Sequence, residues 1–141
     1  MNSTIKKFGY SENLIKEYDY WVVLYRPHQV TIGSLVLICK ENKFNLGDLS
    51  KSAYVEFKLV IQHIEKFLHK KLGANKINYI ALMMVDPHVH FHIIPRYSCK
   101  TAINEKYYYD IYWPKPPNIL DKIDINESEK LCLIKYFKNN F

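Results

Sequence analysis

Along Trp21–Arg26 (WVVLYR) and Ile32–Cys39 (IGSLVLIC), apolar residues follow one another with no polar face. Such runs read as strands buried on both sides. The short connection between them predicts an antiparallel pair in the middle of a sheet. Between Lys51 and Leu72 the spacing changes. Phe57, Val60, Ile61, Ile64, Phe67, Leu68 and Leu72 recur at three and four, which predicts one long helix with an apolar stripe. Ser50 stands before it as an N-cap, lysines crowd its last turn, and Gly73 lies where a left-handed C-terminal cap belongs. His63 and His69, six apart on this helix, point in different directions and read as surface or boundary residues.

Ile77–Val85 (INYIALMMV) is again a continuous apolar run, read as a strand with Met83 and Met84 in the core and a break at Asp86-Pro87. A further strand follows over HVHFHII and is stopped by Pro95. At the N-terminal side, Ser11 predicts a cap for a short helix through Glu17. Near the other end, Tyr107, Tyr109, Ile111 and Trp113 stand at period two in EKYYYDIYW. They predict an edge strand or ordered loop whose rings pack against the body or a partner. Trp113–Pro117 (WPKPP) reads as a turn. Asn126 with Glu129 suggests a capping box, and Leu131, Leu133, Ile134 and Phe137 a final helix that frays over 138–140. The pattern as a whole predicts an α+β fold: an antiparallel sheet of about five strands, one long helix and a C-terminal helical extension. Residues 1–141 read as a single domain, with a core near 18–97 and an extension over 98–141.

Composition narrows the class. A chain of 141 residues, 48% of them hydrophobic, buries a real core without metal or disulfide staples and is not disordered. No window approaches the ~20 consecutive apolar residues of a membrane span. The start, MNSTIKKFGYSEN, has no apolar signal-peptide core. Cys39, Cys99 and Cys132 are far apart, which fits reduced thiols and a cytoplasmic location without membrane partners. The formal net charge of +6 favours an anionic ligand or a solvated basic surface. The basic residues form no long tract, so nucleic acid is not the expected partner.

One segment concentrates the chemistry. His88, His90 and His92 alternate in DPHVHFHIIPRY, and on a strand they share one face while Val89, Phe91 and Ile93 take the other. Three readings follow. The rings are ordinary histidines on a half-buried strand. Or two of them bind zinc with a third donor such as Asp86, Cys99 or His28. All three on one strand fit zinc poorly, because the outer Cα atoms lie roughly 13 Å apart while Zn–N bonds are about 2.0–2.1 Å. Or the middle ring is a nucleophile: a neutral imidazole nitrogen attacks phosphorus and forms a phosphoramidate that water then hydrolyses. Three close imidazoles repel as cations, so His90 is expected to be mostly uncharged at neutral pH.

HVHFHII has the form His-φ-His-φ-His-φ-φ and resembles the signature of the histidine triad superfamily. Pro95-Arg96 after it resembles the Fhit-like and diadenosine-polyphosphate-hydrolase-like branch. Trp21–Cys39 with its glycine, and Asn45–Ser50 before the long helix, resemble the same family. The resemblance implies a HIT-like fold and a nucleotide hydrolase or nucleotidyltransferase. Its substrate would be a phosphoanhydride or related ester, such as a dinucleoside polyphosphate, cleaved through a covalent nucleotidyl-histidine. It implies His90 as nucleophile, His92 on phosphate or leaving-group oxygens, and His88 positioning His90 through its backbone carbonyl. It also implies a homodimer, no metal at these histidines and no required cofactor, with Mg²⁺ compatible as a companion of a polyphosphate substrate.

The chain departs from the family where many members carry a glycine-rich stretch with Gln or Ser ahead of the triad. Leu82–Pro87 has no glycine, hydroxyl or amide side chain; Ser34 and Lys40-Glu41-Asn42 also replace histidine-containing positions. Arg26 and Arg96 are the candidates to hold phosphate instead, whereas Asn78 reads as a strand-start residue. The departures motivate an alternative, a nucleotide-binding protein with little or no turnover. A zinc-dependent hydrolase is a third reading.

Overall fold

The computed structural model describes residues 1–141. It opens with two short helices, Ser3–Lys7 (α1) and Tyr10–Asn13 (α2), and runs straight into the strand Leu14–Glu17 (β1). The helix expected from Ser11 through Glu17 is therefore corrected: its second half is a strand. Leu14 packs with one face of the sheet and Ile15 with the other, and the segment pairs with Val22–Leu24 across a bulge. That alternation, too short to stand out in the sequence, outweighs the helix signal.

Trp21–Tyr25 (β2) and Leu35–Cys39 (β3) form the expected antiparallel pair, and every residue of both is buried. The turn between them is held by buried Gln29, whose side-chain oxygen accepts from the Gly33 and Ser34 N–H groups at 2.9 and 3.0 Å. Its amide nitrogen donates to the Arg26 and Ser34 carbonyls at 2.6 and 2.8 Å. Gly33 sits at φ +92°, and a Cβ there would stand 2.5 Å from Leu72 Cδ1. Only glycine fits both conditions.

The long helix is α-helical over Lys51–Lys66 (α3), then widens into a π-helical turn, Phe67–Lys71. Ser50 caps it by accepting from the Ala53 N–H at 3.1 Å, and Gly73 follows in the left-handed conformation at φ +75°. Val60, Ile64, Phe67, Leu68 and Leu72 are buried against the sheet, each worth about 1.5–3 kcal/mol relative to exposure. His63 and His69 are exposed, as the helical spacing predicts.

Lys76–Ile80 (β4) is shorter than the apolar run suggests. Residues 81–87 leave the sheet; Met84 and Val85 are 78% and 86% exposed, so the expected core position of Met84 is corrected. His90–Arg96 (β5) continues through Pro95, which does not stop it. Pro95 lies beyond the end of its pairing with β3, and its carbonyl accepts from Thr31 Oγ1 at 2.5 Å on that side. The N–H it lacks would have pointed the same way, so no ladder bond is lost.

The sheet order is β1-β2-β3-β5-β4. Thr101–Ile103 (β6) and Lys106–Tyr108 (β7) form a separate hairpin. Its two turn residues, Asn104 and Glu105, both have positive φ (50° and 66°), as a tight two-residue hairpin turn requires. The aromatic segment is thus half strand and half loop. Its period-two residues Tyr107, Tyr109 and Ile111 are exposed, whereas Tyr108 is buried, the reverse of the packing expected within the chain. Glu127–Asn140 (α4) closes the fold, with Asn126 accepting from the Glu129 N–H at 2.8 Å. The box is half formed, because the Glu129 carboxylate reaches Lys106 instead, at 2.6 Å.

The two faces of the sheet are covered differently. Trp21, Val23, Tyr25, Leu35, Leu37 and Ile93 face α3 and α4 in the large core. Val22, Leu24, Val36 and Ile38 form a smaller cluster with Ile5 of α1. The fold is α+β with a five-stranded antiparallel sheet, as the hydrophobic pattern predicts. No helix is long and apolar enough to cross a membrane.

Candidate active site

In β5, His90 pairs with Ile38 and His92 with Val36, so both rings stand on the face that carries the smaller apolar cluster. His88 precedes the strand and is fixed separately. Its Nδ1 lies 3.0 Å from Thr4 Oγ1 and its Nε2 2.8 Å from Asn42 Oδ1. Asn42 Oδ1 can only accept, so Nε2 bears the proton and the Thr4 hydroxyl donates to Nδ1.

His90 Nδ1 is 2.7 Å from the His88 carbonyl oxygen. A carbonyl accepts and does not donate, so Nδ1 carries a proton and in the neutral ring the lone pair lies on Nε2. That Nε2 is buried and has no hydrogen-bond partner. His92 has the opposite tautomer. Arg26 Nε donates to its Nδ1 at 3.1 Å, which leaves the N–H of the neutral ring on Nε2. The two rings are 5.1 Å apart, nearly edge to face. Burial, then the Arg26 charge, then His90 hold the His92 pKa down at about 4. Burial first and His90 second also lower that of His88.

The alternation predicts rings on an accessible strand face, and here the structure corrects it. His90 is fully buried, and His88 and His92 are only 6% and 7% exposed. The cover is α1. Phe8, just past its end, packs on both rings, with centroids 6.0 Å from His90 and 5.8 Å from His92. Lys7 pairs with Asp86 at 2.5 Å and Asn2 Nδ2 donates to the Cys39 carbonyl at 2.9 Å, tying the segment to the triad loop and the sheet.

Both candidate arginines are buried and engaged by protein groups. Arg26 Nη1 and Nη2 donate to the His28 and Ile119 carbonyls at 2.5 and 3.3 Å, so its contact with the site is through His92. Arg96 is farther away in function as well as in place. Its guanidinium meets Asp110 (2.7 Å), Asn78 Oδ1 (2.9 Å) and the Lys115 carbonyl (2.6 Å), pinning the extension to the sheet edge. Arg26 thus acts on His92 and on backbone carbonyls, and Arg96 on the extension, with Asn78 as the mid-strand partner of Arg96 alone. No three His, Cys, Asp or Glu side chains converge as metal ligands; Asp86 is turned to Lys7 and Cys99 is exposed. Thr4, Phe8 and Asn42 are the site residues missed in the sequence. Thr4 and Phe8 lie more than 80 residues from the triad, and only the Phe8-Gly9 break hints at a chain reversal there.

The sequence model described as the HIT domain matches residues 10–99. No curated protein matches the chain. Among solved structures, a histidine triad protein of Bradyrhizobium japonicum is 19% identical, with a TM-score of 0.72 over 99% of this chain and 96% of that one. A histidine triad (HIT) protein of Sinorhizobium meliloti 1021 is 18% identical, with a TM-score of 0.75 over 100% and 96%. A hypothetical histidine triad nucleotide-binding protein of Sulfolobus tokodaii strain 7 is 17% identical, with a TM-score of 0.65 over 97% and 90%.

Proposed function

The chain belongs to the HIT domain family, and from that premise we propose that it is a nucleotide hydrolase or nucleotidyltransferase acting through a covalent His90 intermediate. The observation that carries this reading is the pair of opposed tautomers. His90 offers an unpartnered Nε2 lone pair, and the neighbouring His92 offers an Nε2–H donor. A phosphoryl centre set between them meets a nucleophile and a proton donor at once.

In the first step the His90 Nε2–P bond forms as the P–O bond to the leaving group breaks, and the leaving oxygen takes the electron pair. The His92 N–H stabilises the charge that grows on phosphate or leaving-group oxygen. Water then attacks phosphorus, the N–P bond breaks, and a nucleoside monophosphate leaves. His88 acts through its carbonyl, holding the His90 tautomer. The substrate is a phosphoanhydride or related ester, and a dinucleoside polyphosphate of the kind taken by the Fhit-like branch fits the basic balance. Mg²⁺ would enter with such a substrate. A homodimer is the assembly we propose.

With α1 in place no phosphate reaches His90, so turnover requires the segment around Phe8 to move. The same burial favours a second reading, a nucleotide binder with little turnover. A single-turnover reaction with radiolabelled dinucleoside polyphosphate separates the two. Catalysis predicts a protein-bound label, stable in alkali, lost in acid and absent in His90→Ala. Tight binding with neither label nor product would establish the binder and sink the enzyme.

A further inference from the structure

On the sheet face opposite the triad lies a cavity of about 590 Å³, lined by Ile15, Lys16, Tyr18, His63, Phe67, Phe141 and further lysines. Those are Lys66, Lys70, Lys71 and Lys138, and no Asp or Glu side chain lines it. The five ammonium groups come from four places in the fold: β1, the end of α3, the π-helical turn and α4. None of the five is in a salt bridge. Lysines gathered at a helix end are commonly solvated there, where they meet the dipole. Lys16 and Lys138 come from other elements, so the convergence is tertiary.

The floor is apolar and aromatic. Phe67 and Ile15 belong to the main core, and Phe141 packs on Phe67 with centroids 5.5 Å apart. One wall is fixed by the Tyr18 hydroxyl and His63 Nδ1, 2.7 Å apart. The π-helical turn at Phe67–Lys71 is a second, independent mark, since such turns recur at functional sites. The volume falls within the roughly 300–1,000 Å³ of small-molecule sites.

We infer that this cavity, five unpaired lysines around a floor of half-buried Phe141 packed on buried Phe67, binds a small organic polyphosphate with its phosphates on the ammonium groups and its ring against Phe141. The site is distinct from the triad and does not depend on catalysis at His90.

Full-length protein is titrated with adenosine triphosphate, inorganic tripolyphosphate and adenosine at near-physiological salt, and amide shifts are followed by NMR. The expected result is a saturable site that shifts Lys16, Phe67, Lys70 and Lys138, separate from any nucleotide response at His90 and His92. The triphosphate should bind more tightly than tripolyphosphate, and adenosine weakly. The exposed pair Lys70→Glu/Lys138→Glu should lower affinity at least tenfold while His90→Ala leaves it unchanged. Lys70→Gln/Lys138→Gln gives the same test if charge reversal disturbs folding. Shifts confined to the triad face, non-saturable binding, or equal affinity in the lysine variants would overturn the inference. So would tighter binding of a single-stranded oligonucleotide through the same lysines, which would make the surface a nucleic-acid contact. Because the readout is binding in a His90→Ala background, its failure is separable from failure of the nucleotidyl-histidine reading.

Discussion

Arg26 shows how one side chain sets the protonation state of another. Its Nε donates to His92 Nδ1, and its remaining contacts are backbone carbonyls. Together with burial, its charge makes protonated His92 unfavourable and holds the pKa at about 4, against about 6.5 for a free imidazole. The unfolded chain therefore binds the proton more readily than the folded one. The stability this gives is fully present above about pH 6.5 and is lost as pH falls through about 4, with a slope of up to about 1.4 kcal/mol per pH unit from this group. Urea unfolding from pH 7 to 4.5 should show the midpoint falling, and His92→Gln should flatten the curve. An unchanged slope in the variant would refute the assignment. Arg26→Met should move the His92 proton away from Nε2, read by nitrogen NMR, and lower kcat about 10²-fold or more, as loss of a positioned donor does. The His92 contact is not legible in the sequence, where Arg26 reads as a phosphate-binding candidate at the end of an apolar run; the contact spans 66 residues.

At the scale of elements, legibility follows length and burial. β2, β3 and α3 are long enough, and buried enough, for their periodicity to declare itself. β1 is four residues with a bulge, and the β6–β7 turn uses Asn-Glu where a glycine would have announced a hairpin. The shared face of His90 and His92 was legible, but His88 lies ahead of the strand and the cover over the rings could not be read. α1 is five residues long, too short to be predicted; Asn2 caps it by accepting from the Ile5 N–H at 3.0 Å, and tertiary contacts hold it on the sheet. Phe8 is its main contact with His90 and His92. Phe8→Ala should leave the sheet intact, at a cost of about 1–3 kcal/mol for a half-buried ring. It should also raise the rate of diethyl pyrocarbonate modification of His90 several-fold over the parent. Equal rates would mean that α1 is not what closes the site.

At the scale of the molecule, the two sheet edges are unequal. β1 is accompanied by α4, whereas β4 ends the sheet on the other side with no further strand. Apolar side chains stand exposed both there and on α3. Tyr79 of β4 is 37% exposed, Leu59 46% and Val55 75%. A strand edge with no ladder partner, though flanked by the extension that Arg96 holds, favours pairing where exposed apolar side chains lie beside it. A second copy related by a two-fold axis would place the same edge and helix face against themselves, which is how an isologous dimer closes. The protein should therefore sediment at twice its 16.8 kDa chain mass at micromolar concentration. Val55→Glu with Leu59→Glu should return it to one chain mass, with little change in the folding of each chain because both positions face solvent within it. A single-chain mass for the parent protein would refute the dimer, and a double mass that survives both substitutions would move the interface off this face of α3.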